Sequence, residues 1–113
     1  GIAFAPHHLY EAVDDIPQLI RDCGKENLPF FYFQEHHPSS QTKMSKEEEL
    51  KQMPGFGSLD YAPIIAALKE VKYCGLSEIF MHPVPRGVPV LGSPAEISGV
   101  INKSREYLTK LLS

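Results

Sequence analysis

The sequence predicts an α/β chain built from parallel β/α units. Three times a short apolar run passes through a loop rich in Pro, His or Gly into an amphipathic helix. Each helix also carries start or stop residues at the positions where a β/α unit needs them. The 113 residues are read as a single unit, 1–113.

The first run, "GIAFAPHH" at residues 1–8, leads to a helix near residues 11–23. There Val13, Ile16, Leu19, Ile20 and Cys23 recur at helical spacing, and Gly24 supplies a stop. Proline is tolerated only in a first turn, so Pro17 places the regular helix close to Asp14 or Asp15. The second run, "LPFFYFQEHH" from Leu28 to His37, is aromatic enough for a buried strand. A polar stretch over residues 38–53 follows, with "KEEELKQ" as a short solvated helix in which Glu47 to Glu49 form a wet face. After "PGFG", Asp60 can cap a helix with Pro63 in its first turn. Ile64, Ile65, Leu68 and Val71 make its stripe, and Gly75 ends it. The third run, "LSEIFM" at residues 76–81, precedes Ser93-Pro94-Ala95-Glu96, a capping box, and a helix whose inner face runs from Ile97 through Ser104 to Leu111.

Composition narrows the function classes. With 42% hydrophobic and 22% charged residues the chain is neither disordered nor fibrous. No apolar run nears the roughly 18 residues of a membrane span, and no signal-peptide layout opens it, so no membrane association is expected. The net charge of −3 and scattered basic residues speak against a nucleic-acid partner. Cys23 and Cys74 have no metal-ligand spacing and are read as buried free thiols, which points to a reduced, cytoplasmic setting. The start at Gly1, on an apolar stretch, reads as a fragment or a processed chain.

All five histidines, His7, His8, His36, His37 and His82, fall at or just past a predicted strand end. In parallel β/α arrays that is where functional loops lie. Alternation along each strand puts Ile2, Phe4, Phe31, Phe33, Ile79 and Met81 toward the helices. The opposite face then carries Ala3, Ala5 and His7, Tyr32, Gln34 and His36, and Glu78, Phe80 and His82. His7, Gln34 or His36, and His82 could converge at one mouth, with Glu78 and Tyr32 one layer below, and imidazole and carboxylate ligands so arranged suit a divalent metal. Histidines beside proline at strand ends also serve simply as loop residues that cap backbone groups. His8, Gln34 and Arg86 are candidates for substrate contact. Arg86 in "PVPRG" could grip a phosphate or carboxylate, or be an ordinary surface arginine held by prolines.

A strand ending in His, then a second strand, "PGFGSLDYAPIIAALKEVKYCG" and a last strand together resemble the C-terminal part of the sugar-phosphate isomerase/epimerase superfamily, the xylose isomerase-like TIM barrels. The stretch from Pro54 to Gly75 carries most of that resemblance. It implies that the chain is the C-terminal three of eight β/α units, in a fold that takes about 250 residues. A bound Mn, Zn, Co or Mg ion, a sugar or sugar phosphate as substrate, and aldose–ketose isomerisation or epimerisation are implied with it. The missing N-terminal part of the barrel, or further copies of the chain, would cover its sheet edges.

Carried over residue by residue, His8 matches the family's substrate-contacting histidine. The metal-binding aspartate falls on Ala5, the ligand histidine on Tyr32 or, with a shifted register, on Gln34, and the metal-binding glutamate on Phe80. Glu78 and His82 flank Phe80 on the same face, but two residues are roughly 6.6 Å along a strand. Either the metal site is rebuilt around His7, His8, Glu35, His36 and His82, or the barrel serves as a non-catalytic carbohydrate- or protein-binding module. A metal-dependent endonuclease for abasic DNA shares this barrel, and the lack of a basic surface argues against it.

Overall fold

The structure is a computed structural model that describes residues 1–85 and 91–112. Three parallel strands, β1 (Ala3–Phe4), β2 (Phe30–Phe33) and β3 (Leu76–Ile79), form one sheet in the order β1-β2-β3. Phe4 pairs with Phe31, Tyr32 with Glu78, and Phe33 with Ile79. Between them run α1 (Ile16–Cys23), a short α2 (Lys46–Leu50) and α3 (Ala62–Glu70); α4 (Pro94–Leu112) follows β3. The α/β class with parallel strands is therefore as the sequence predicts.

Alternation places Phe4, Phe31 and Phe33 under the helices. There they join Ile16, Ile20, Ile64, Ile65, Leu68 and Leu108 in one buried cluster. Phe31 is the hub, stacked on Phe4 at 5.4 Å and tilted against Phe33 at 4.7 Å. Burial of aromatic side chains of this size supplies the main driving force for closing the helices onto the sheet. α1 packs chiefly on α3, α3 also meets α4, and α4 reaches β3, so the long helices share one face of the sheet. The other face, with Ala3, Tyr32, Glu78 and Phe80, is left open or half-covered.

The boundaries show local physics at work. Residues Pro6–Asp15 form 3-10 turns kinked at Leu9 and Ala12, and α1 starts only at Ile16 with Pro17 in its first turn. Val13, expected on the inner stripe, is consequently exposed, as is Ile2 at the sheet's edge. Asp60 accepts the N–H of Ala62 at 2.9 Å and so starts α3, and Ser93 accepts the N–H of Glu96 at the start of α4. The stop of α3 is not Gly75. Lys72 adopts φ 57°, its N–H bonds to the Lys69 carbonyl, and Tyr73 N–H bonds to the Leu68 carbonyl. That is a Schellman closure with lysine where glycine is usual. Gly75 serves a different need, because a Cβ there would lie 2.5 Å from the Pro29 carbonyl oxygen where β3 begins against β2.

Cys23 is half-buried and Cys74 exposed, so the expectation of two buried thiols fails at Cys74, which sits in the turn past α3. Both are free thiols. Among the described residues no helix is long and apolar enough to cross a membrane.

Candidate functional site

The strand ends gather four of the five histidines. His7 is the centre: its ring lies 4.9 Å from His8, 5.4 Å from His36 and 5.8 Å from His82, centroid to centroid. His7 is only 6% exposed, and its Nδ1 and that of His36 are buried without a hydrogen-bond partner. His37 does not join them. Its Nδ1 faces Ser39 and its Nε2 lies 3.3 Å from Glu48. That resembles a Ser-His-Glu relay, but Ser39 is fully buried and its hydroxyl donates to the Glu48 carbonyl, so it has no nucleophile to offer.

A cleft of about 290 Å³ opens on the uncovered sheet face, lined by Ala3, Ala5, His8, Tyr32, Gln34, Phe80 and His82. The two alanines leave room. Tyr32 and Phe80 supply an aromatic floor with rings 6.1 Å apart, and the ring of His82 stands edge-on to Phe80 at 4.7 Å. His8 and His82 also line it, together with Gln34, which is buried and donates from its amide to Gln52. Two of the expected substrate contacts, His8 and Gln34, thus lie together, whereas Arg86 falls outside the described residues.

The long segment after β2 holds this rim in place through buried side chains. Gln52, with no exposed surface, donates to the His82 carbonyl at 3.0 Å and accepts the His82 N–H at 2.9 Å. The same amide oxygen accepts from Gln34 at 2.7 Å. Glu49 accepts the Val84 N–H at 3.3 Å and pairs with Lys46. Glu49 is therefore a buried anchor and not part of the wet face that the sequence suggests. Beyond Phe80, whose N–H still bonds to the Phe33 carbonyl, the two side chains serve His82 and Val84 in place of a strand partner, which satisfies backbone groups that burial would otherwise leave costly. Neither role is announced by composition, although Glu49 and Gln52 share the i,i+3 spacing of one helical face.

Glu35, expected as a metal ligand, is used differently. Its carboxylate accepts the N–H groups of Ser58 and Leu59 at 2.9 and 3.2 Å, closing the "PGFG" loop back onto β2. Burial pushes its pKa above the ordinary 4.5, against the lowering effect of those two hydrogen bonds. The spacing of His7 to His36 and His82 is close to the roughly 5 Å between two imidazoles sharing one ion. Yet among the described residues no three His, Cys, Asp or Glu side chains converge as a metal's ligands do.

Burial holds the His7 pKa below 6.5, reinforced by the neighbouring His8, His36 and His82 and opposed by a hydrogen bond to the Glu35 backbone. The unfolded chain therefore takes up this proton first as pH falls. Stability contributed by a neutral His7 is complete above pH 6.5 and is lost as pH drops toward the depressed folded value. Urea denaturation between pH 7.5 and about 5 should show that loss, and His7→Gln should flatten it. An unchanged slope in the variant would place the titrating group elsewhere.

No family model, curated protein or solved structure matches this chain.

Proposed function

We propose that the cleft on the open sheet face binds a sugar or sugar phosphate, in a divergent member of the xylose isomerase-like superfamily that uses this face for carbohydrate recognition. The observation that carries the reading is a coincidence of position. Ala5, Tyr32 and Phe80 stand where the resemblance puts an aspartate, a histidine and a glutamate, and all three line this one cleft. Removing the acids and adding two rings turns a metal cradle into a surface suited to the apolar face of a pyranose or furanose. His8, Gln34 and His82 offer hydrogen bonds to its hydroxyls.

The barrel is part of the same proposal. Helices on one face of a parallel sheet in sequential order are what a closed β/α barrel requires, whereas a doubly wound sheet covers both faces. The open face and the outer edges of β1 and β3 would then meet the remaining strands.

A second reading, isomerisation or epimerisation, is favoured by the imidazoles at the rim. His8 or His82 could take a proton from the carbon next to a sugar carbonyl, leaving an enediolate; for isomerisation the proton returns to the former carbonyl carbon as the hydroxyl proton passes to the former carbonyl oxygen, and for epimerisation it returns to the opposite face of the same carbon. A divalent ion there would need Glu35 released from Ser58 and Leu59, or another donor in its place, so no step is routed through one.

Calorimetric titration of the protein with pentoses, hexoses and their phosphates, in EDTA and then with added Zn or Mn, tests both readings. Binding should occur in EDTA and weaken about tenfold in Tyr32→Ala, the scale of losing one stacked ring. Absence of binding by every sugar, or undiminished binding by Tyr32→Ala, would overturn the assignment. Deuterium uptake by the sugar from D2O, lost in His82→Ala, would establish the catalytic reading over the binding one.

A further inference from the structure

We infer that a second cleft, between the Pro6–Asp15 turns and the start of α3, binds a small organic ammonium ion. It is separate from the sugar cleft and does not depend on that reading. Its volume is about 440 Å³, and its walls include Tyr10, Val13, Asp14, His36, Asp60 and Pro63.

The ring of Tyr10 stacks on His36 at 3.9 Å with an interplanar angle of 18°. His36 therefore covers one face of Tyr10 and fixes the ring, while the side chain remains 51% exposed. An exposed tyrosine held rigid in this way presents the negative face of its π-system to a ligand at little entropic cost. Val13, 38% exposed, adds apolar surface beside it.

Charge decides which ligand suits this wall. Asp14 makes no ion pair among the described residues. Asp60 uses one oxygen to cap α3 and leaves the other without a partner among the described residues. Glu35 lies behind them, and no Lys or Arg is among the described residues lining the cleft. An anion would meet carboxylates, and a neutral apolar ligand would leave them desolvated without compensation. A bare metal ion finds no three converging donors among the described residues and would waste the aromatic wall. An ammonium carried on an apolar body matches both parts: the charge at the acidic rim, the body over Tyr10 and Val13. His36 also lines the cleft, and its Nδ1 is buried without a hydrogen-bond partner.

The test uses three probes of one shape: phenethylamine, phenethyl alcohol and 3-phenylpropionate. NMR titration of the protein should show the amine shifting the signals of Tyr10 and Asp14 and binding about tenfold more tightly than the alcohol, the scale of a cation–π contact joined to a partly exposed carboxylate. The carboxylate probe should not bind. Asp14→Asn should bring the amine down to the affinity of the alcohol, and Tyr10→Leu should weaken both. Both positions are exposed, so circular dichroism should be unchanged. Equal affinity for amine and alcohol, an undisturbed Asp14→Asn variant, or no shifts at millimolar amine would each overturn the inference. Sugar titration of Asp14→Asn keeps the two clefts apart, because only the amine site should respond.

Discussion

Replacing Gln52 by Ala is expected to cost about 3 kcal/mol of folding stability and to remove sugar binding at the rim. Three hydrogen bonds meet on this one buried amide, from Gln34, from the His82 N–H and to the His82 carbonyl. Truncation takes the partner from all three groups, and each buried group left unpaired costs on the order of 1–3 kcal/mol. Urea denaturation measures the loss, and a change under about 1 kcal/mol would mean that the rim does not rest on Gln52.

The variant Gln52→Glu separates the hydrogen bonds from mere packing. An ionised carboxylate can still accept from Gln34 and His82 but cannot donate to the His82 carbonyl, and it sets two acceptors against each other in a buried place. A protonated carboxyl restores the donor. The stability gap between wild type and Gln52→Glu should therefore be large at pH 7 and narrow toward pH 4, because burial disfavours the charged form and raises such a group's pKa. A gap constant over that range would assign Gln52 a purely steric role. Referring each value to wild type at the same pH cancels the titration of His7 and the other native groups.

This network also shows where sequence reasoning reaches and where it stops. Period-2 alternation was enough to sort Phe4, Phe31 and Phe33 from Tyr32, Gln34 and Phe80, because the side chain's direction on a strand is fixed by the backbone itself. Pro17, Asp60 and Ser93 were equally legible, since each solves a problem local to one helix end. The αL stop at Lys72 was not, because tertiary packing on both sides of the turn can impose a conformation that a lysine does not prefer. Glu35, Glu49 and Gln52 escape for a further reason. The backbone groups they hold, on Ser58, Leu59, Val84 and His82, are all at least 23 residues away in sequence, and backbone partners have no residue type to recognise. A carboxylate near histidines reads as a metal ligand until the amides that claim it are visible.

The second large effect concerns that same carboxylate. Gly57→Ala is expected to destabilise the protein by about 1–3 kcal/mol, the usual cost of overpacking a fitted site. A Cβ at position 57 would stand 2.1 Å from Glu35 Oε1 and 2.3 Å from the Lys51 carbonyl oxygen. The side chain of Glu35 can move away only by giving up the N–H groups of Ser58 and Leu59, and the Lys51 carbonyl is backbone that cannot swing aside. A double-mutant cycle resolves the two contributions. In a Glu35→Ala background the cost of Gly57→Ala should shrink, because the carboxylate is gone, yet stay above zero, because the carbonyl remains. Strict additivity would show that the two residues do not share the space the geometry gives them. The pH dependence supplies a second readout. With its pKa raised above 4.5, Glu35 contributes stability that is complete below that value and is lost as pH rises through the folded pKa. Gly57→Ala, by pushing the carboxylate toward water, should return its NMR-measured pKa toward the ordinary value and flatten that component. An unshifted Glu35 titration in Gly57→Ala would mean that the loop had yielded instead of the carboxylate.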